Sequence, residues 1–122
     1  MRRSDYRGAK CVKRKLSKCE DVCRTYGDLQ YKFADLLETS DDIASFQVNV
    51  EMTGLKIDGK FTTDFVAVKT DGELMVRECI ERNKIHTPRN CRMLDASREY
   101  WLGHGVSDWG IVVNSREEYH EL

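Results

Sequence analysis

Two carboxylates are placed to do chemistry. Asp64 lies in Phe61-Thr62-Thr63-Asp64-Phe65-Val66-Ala67-Val68, and Glu78 in Leu74-Met75-Val76-Arg77-Glu78-Cys79-Ile80. Each is the one acid of a largely apolar run that reads as a strand. Side chains alternate along a strand, so Asp64 shares a face with Val66 and Val68, and Glu78 with Val76 and Ile80. A carboxylate on a buried face needs a cation, a hydrogen-bond donor or a metal ion. Two of them on adjacent strands suggest a divalent metal site. The plainer alternative is a salt-bridged pair, for instance with Arg77, Arg82 or Arg98.

The elements that must position them follow from periodicity and turn residues. The two strands, 60–69 and 73–80, are joined by Thr70-Asp71-Gly72, a hairpin turn. Upstream, Phe46, Val48, Val50 and Met52 alternate with Gln47, Asn49 and Glu51, a half-buried strand that Asp58-Gly59 turns into the Asp64 strand. Three consecutive antiparallel strands are therefore expected over 43–80. Residues 28–38 predict a helix, with Leu29, Phe33, Leu36 and Leu37 as its buried stripe and Thr25 or Asp28 as its cap. Thr87 and Pro88 read as N-cap and first residue of a second helix that runs to about Leu102 and stops at Gly103 and Gly105. Its stripe of Cys91, Leu94 and Trp101, widened by Met93, Ala96 and Tyr100, is expected to pack in the core. The run Trp109-Gly110-Ile111-Val112-Val113 predicts a central strand buried on both faces, joining the sheet parallel to the strand before the helix. The order is α-β-β-β-α-β: an α/β protein with a mixed sheet flanked by helices.

The chain has 122 residues, enough for one domain with a core, with 34% charged and 40% hydrophobic residues. No apolar run approaches the roughly 20 residues that span a bilayer, and no signal peptide is apparent. The five cysteines, an odd number, argue for reduced thiols in a cytoplasmic protein. Cys19-x-x-x-Cys23 has the spacing of half a zinc site, but no second close pair completes it, and ordinary thiols are the alternative. The net charge of −1 hides an asymmetry: residues 1–18 carry +7 and the remainder −8. Arg2, Arg3, Arg7, Lys10, Lys13, Arg14, Lys15 and Lys18 would make residues 1–24 a basic arm able to hold nucleic-acid phosphates, on a domain over 25–122. A solvated tail is the alternative. A short helix over 12–23 is compatible with this stretch, and residues 115–122 form a charged tail.

The element order, with Asp on the second strand and Glu on the third, resembles the core of the restriction-endonuclease-like nucleases, whose pattern is Asp, a variable gap, then Glu or Gln, one residue, Lys. More specifically, residues 26–114 resemble the N-terminal catalytic domain of TnsA-like endonucleases, subunits of heteromeric transposases. Asp28-Leu29-Gln30 with Phe33 and Leu36-Leu37-Glu38 is similar to that family's first-helix motif, and Thr62-Thr63-Asp64-Phe65 to its Thr-Pro-Asp-Phe. Val76-Arg77-Glu78-Cys79-Ile80 falls at its Glu/Gln-x-Lys strand. Arg98-Glu99-Tyr100-Trp101 with Gly105 and Asp108-Trp109-Gly110-Ile111-Val112 resembles its closing helix and strand. The resemblance implies a metal-dependent DNA endonuclease of a transposon or phage, with Asp64 and Glu78 as ligands of Mg²⁺ or Mn²⁺. Its partners would be DNA and a transposase or other protein subunit, with a homodimer left open. Two positions depart from the pattern. The helix-borne catalytic Glu falls at Gln30 and the lysine at Ile80. Lys84 is the first candidate for a displaced lysine, with Arg82, Lys32 and Lys69 as further cations and Glu38 or Glu81 as substitute acids. The alternative function is a catalytically degenerate nuclease-fold module that binds DNA or a partner protein as a regulator or inhibitor.

Overall fold

Strand alternation and the Thr70-Asp71-Gly72 turn produce the antiparallel meander expected over 43–80. In a computed structural model, which describes residues 10–53 and 61–114, it consists of β3 (Ile43–Glu51), β4 (Thr62–Lys69) and β5 (Leu74–Cys79). Before it come β1 (Cys11–Arg14), β2 (Cys23–Tyr26) and α1 (Asp28–Thr39); after it come a 3-10 turn (Arg82–Lys84), α2 (Pro88–Gly103) and β6 (Asp108–Val112). The main sheet has the order β3-β4-β5-β6, antiparallel except for the parallel β5–β6 pair. The class is thus α/β with a four-stranded mixed sheet. The Asp58-Gly59 turn and the 115–122 tail lie outside the described residues.

Phe65 is fully buried at the centre of the core, edge-on to Phe33 of α1 at 5.0 Å and tilted against Phe46 of β3. Cys23, Ala34, Leu37, Ile43, Ala67, Met75 and Cys79 complete that cluster. A second cluster joins Met52, Phe61 and Met93 to Tyr100 and Trp101.

Four expectations are corrected. Residues 12–23 hold no helix: β1 and β2 pair as an antiparallel hairpin, Cys11 opposite Tyr26 and Arg14 opposite Cys23. The hairpin is clamped to α1, because Glu38 accepts from the Ser17 and Lys18 backbone N–H groups and from the Ser17 hydroxyl. The cap of α1 is neither Thr25 nor Asp28 but Gly27, at φ 86 and without a side-chain cap bond. Glycine reaches that left-handed backbone at little cost. The α1 stripe is rotated from the apolar one, with Gln30, Ala34 and Leu37 buried while Leu36 is 59% exposed. Finally, β6 is not a central strand covered on both faces. It is the edge of the sheet, with Ile111 exposed.

The second helix begins as expected: Thr87 caps it by accepting from the Asn90 N–H, and Pro88 follows. Its buried positions are Asn90, Met93, Leu94 and Ser97, whereas Cys91 is exposed. Among the described residues no helix is long and apolar enough to cross a membrane.

The corrected stripe makes a test. Phe65→Ala should cost about 3–5 kcal/mol in urea denaturation, the range for a large aromatic lost from a packed core. Leu36→Ala should stay within about 0.5 kcal/mol, as a surface change does. Equal losses would place Leu36 in the core.

Candidate functional site

The β4–β5 ladder ends at Phe65–Arg77. One step further, Asp64 and Glu78 stand opposite one another on the same face, as antiparallel partners do. Here the carboxylates take over backbone donors. Asp64 donates its N–H to Glu78 Oε1 at 2.8 Å, and Cys79 donates its N–H to Asp64 Oδ2. Asp64 is 1% exposed and Glu78 2%.

Each carboxylate is also held from a helix. Gln30 Nε2 of α1 donates to Asp64 Oδ1 at 2.8 Å and to Asn49 Oδ1 at 2.8 Å. Ser97 Oγ of α2 donates to Glu78 Oε2. The local reason for Gln30 is legible: it is the third residue of α1, and such a Gln reaches back to backbone donors before the helix. Its Oε1 accepts from the Tyr26 N–H at 2.9 Å. That N–H is a donor only, so the amide is fixed with oxygen toward Tyr26 and nitrogen toward Asp64. Asn49 sits in β3 between Val48 and Val50, whose partners Phe65 and Thr63 flank Asp64. It adopts φ 55, a left-handed backbone that Asn tolerates better than most residues, and its Nδ2 donates to Arg24 O. Two indoles close the cluster, Trp101 Nε1 donating to Thr63 Oγ1 at 2.7 Å and Trp109 Nε1 to Ser97 Oγ at 3.1 Å.

The remaining sequence candidates lie elsewhere. Lys84 is largely exposed, its ammonium 3.7 Å from Glu81. Ile80, at the pattern's lysine position, is 3% exposed. Lys69 pairs with Asp108, as does Arg77 at 2.8 Å; Arg82 is tied to Asn114, and Arg98 is exposed. Glu38 clamps the hairpin loop. In the basic stretch, Arg14 pairs with Asp35 and stacks on Tyr31, and Lys18 Nζ donates to Leu37 O and Ser40 O at the end of α1. Those two cations serve the fold, while Lys10, Lys13 and Lys15 are exposed. Arg2, Arg3 and Arg7 lie outside the described residues. Asn49, Ser97, Trp109 and Thr63 were not assigned from the sequence. The detectable signal was Ser97, a small polar residue three and four positions after the buried Leu94 and Met93.

The donor chemistry of the pair suits a hard divalent cation. Mg²⁺ is commonly held by one or two carboxylates, with water and substrate phosphates in its other positions. Among the described residues no group of three or more His, Cys, Asp or Glu is placed to hold a metal; beside the two acids stands the Gln30 amide, its NH₂ toward Asp64. No protein-family model matches the chain, and no curated protein matches it.

Burial, then the nearby Asp64 charge, raises the Glu78 carboxyl from its ordinary 4.5 to about 7. Burial and the same two acids push the Cys79 thiol up, so it stays protonated. The folded chain therefore holds a proton on Glu78 at pH values where the unfolded chain has released it. Stability should fall as pH rises from about 4.5 to about 7 and level off above, because the folded state binds more protons across that window. Urea midpoints measured in metal-free buffer between those limits check the sign. A midpoint rising through the window would contradict it.

Proposed function

We propose that the chain is a metal-dependent DNA endonuclease on a restriction-endonuclease-like scaffold of the TnsA-like kind. The observation that carries this reading is the convergence of Asp64 and Glu78 at the point where β4 and β5 part, with Gln30 of the first helix on Asp64. The element order and the parallel closing strand agree with it. Asp64 and Glu78 would hold Mg²⁺ or Mn²⁺. When bound, such a cation offsets negative charge developing on a phosphodiester under attack by water. The residues around it have separate tasks: Gln30 and the Cys79 N–H orient Asp64, while Ser97 and the Asp64 N–H orient Glu78. As implied by the TnsA-like resemblance, a transposase subunit would act beside it.

The second reading, a degenerate module that binds DNA or protein without cutting, is favoured by two observations. Gln30 presents its NH₂ to Asp64 and gives its oxygen to Tyr26, while the lysine position holds buried Ile80. Turning the amide to offer oxygen would set its NH₂ against the Tyr26 N–H.

Plasmid nicking with Mg²⁺ and Mn²⁺ tests the first reading. The expected result is weak cleavage, stronger with Mn²⁺, which accepts imperfect donor sets more readily, and absent in Asp64→Ala. Gln30→Glu should destabilise the metal-free fold by roughly 1–3 kcal/mol, since it faces one buried carboxylate with another. Added Mn²⁺ should recover that loss. A folded Gln30→Glu/Ile80→Lys variant that neither binds metal nor cuts would exclude the nuclease reading and leave the binding module.

A further inference from the structure

Both carboxylates are gripped by side chains whose polarity is set by a group that can only donate. For Asp64 the chain of bonds runs Tyr26 N–H to Gln30 Oε1, then Gln30 Nε2 to Asp64. For Glu78 it runs from Trp109 through Ser97. An indole N–H is a donor without acceptor capacity, whereas a hydroxyl has one proton and two lone pairs. Trp109 Nε1 lies 3.1 Å from Ser97 Oγ, so that oxygen accepts there. Toward ionised Glu78, its one proton is then directed to Oε2. Ser97 is 1% exposed, and Trp109 comes from β6, so the orientation of a β5 carboxylate is fixed by α2 and the sheet edge together.

We infer that Ser97 is a positioning residue for Glu78, with its hydroxyl aimed by the Trp109 indole. This rests on the reading of Asp64 and Glu78 as a cation-holding pair. Neither Ser97 nor Trp109 touches the reacting atoms. Their task is to hold Glu78 in one rotamer as an acceptor, so that binding a cation does not have to order it. Groups that orient a metal ligand in this way typically contribute about 10–100-fold to metal affinity. The inference also gives Trp109 a task beyond packing: phenylalanine would fill much of its space but leave the Ser97 hydroxyl free to rotate.

Two measurements on the full chain test this, with thermal melts confirming that each variant folds. In Mn²⁺ calorimetry, Ser97→Ala should bind about 10–100-fold more weakly than wild type, Trp109→Phe should weaken in the same direction, and Ser97→Thr should restore most of the affinity. In metal-free carbon NMR, the Glu78 carboxyl resonance should move in Ser97→Ala and Trp109→Phe and return in Ser97→Thr. If wild type binds no Mn²⁺, the metal reading fails. The carboxyl resonance still decides the positioning claim. A Glu78 resonance unchanged in both variants overturns the positioning role whether or not metal binds. So does an Mn²⁺ affinity that Ser97→Ala leaves intact in a protein that binds the ion.

Discussion

The arrangement depends on burying two carboxylates side by side. Asp64 and Glu78 face each other where the β4–β5 ladder stops, and burial together with mutual repulsion raises Glu78 to about 7. Such a pair is costly unless donors or a cation offset it. Much of the surrounding structure supplies donors: two backbone N–H groups released by the parting strands, an amide from α1 and a hydroxyl from α2. The helices therefore do more than cover the sheet. Each delivers one polar residue from its buried stripe to one acid.

This network limits what the site does without a cation. Gln30 serves two purposes at once, accepting from the Tyr26 N–H before α1 and donating to Asp64. A carboxylate there would still satisfy Tyr26 but would repel Asp64 unless a cation lay between them. The amide satisfies both neighbours without adding charge; under the metal-site proposal it leaves two acids rather than three for the cation, which predicts weaker binding. The hairpin β1–β2 contributes by fixing the entry to α1. Gly27 N–H donates to Lys10 O at 3.1 Å, and Asn49 links Gln30 to Arg24 O.

The sheet was legible because its strands alternate and Thr70-Asp71-Gly72 turns β4 into β5, and Thr87-Pro88 marked the start of α2. The pairing of Asp64 with Glu78 followed from the same alternation. Other features depend on partners distant in sequence. Leu36 fits an apolar stripe on α1, but Gln30 takes a buried place because Asp64 and Tyr26 satisfy its amide. The apolar run in β6 reads as a central strand, yet its position at the edge is set by the order of the whole sheet. Residues 11–26 lack periodicity because each strand of the hairpin has four residues, and the hairpin is held largely by Glu38, Asp35 and the end of α1. Ser97 follows the α2 stripe in sequence, but its task shows only once Glu78 is placed against it.

The most direct test of the central claim is anomalous diffraction from crystals grown or soaked with Mn²⁺. The account predicts a manganese peak between Asp64 and Glu78, with both carboxylates as ligands and Ser97 still donating to Glu78. Crystals at saturating Mn²⁺ with no peak there, and with the Gln30 amide and Ser97 hydroxyl still on the carboxylates, would contradict it.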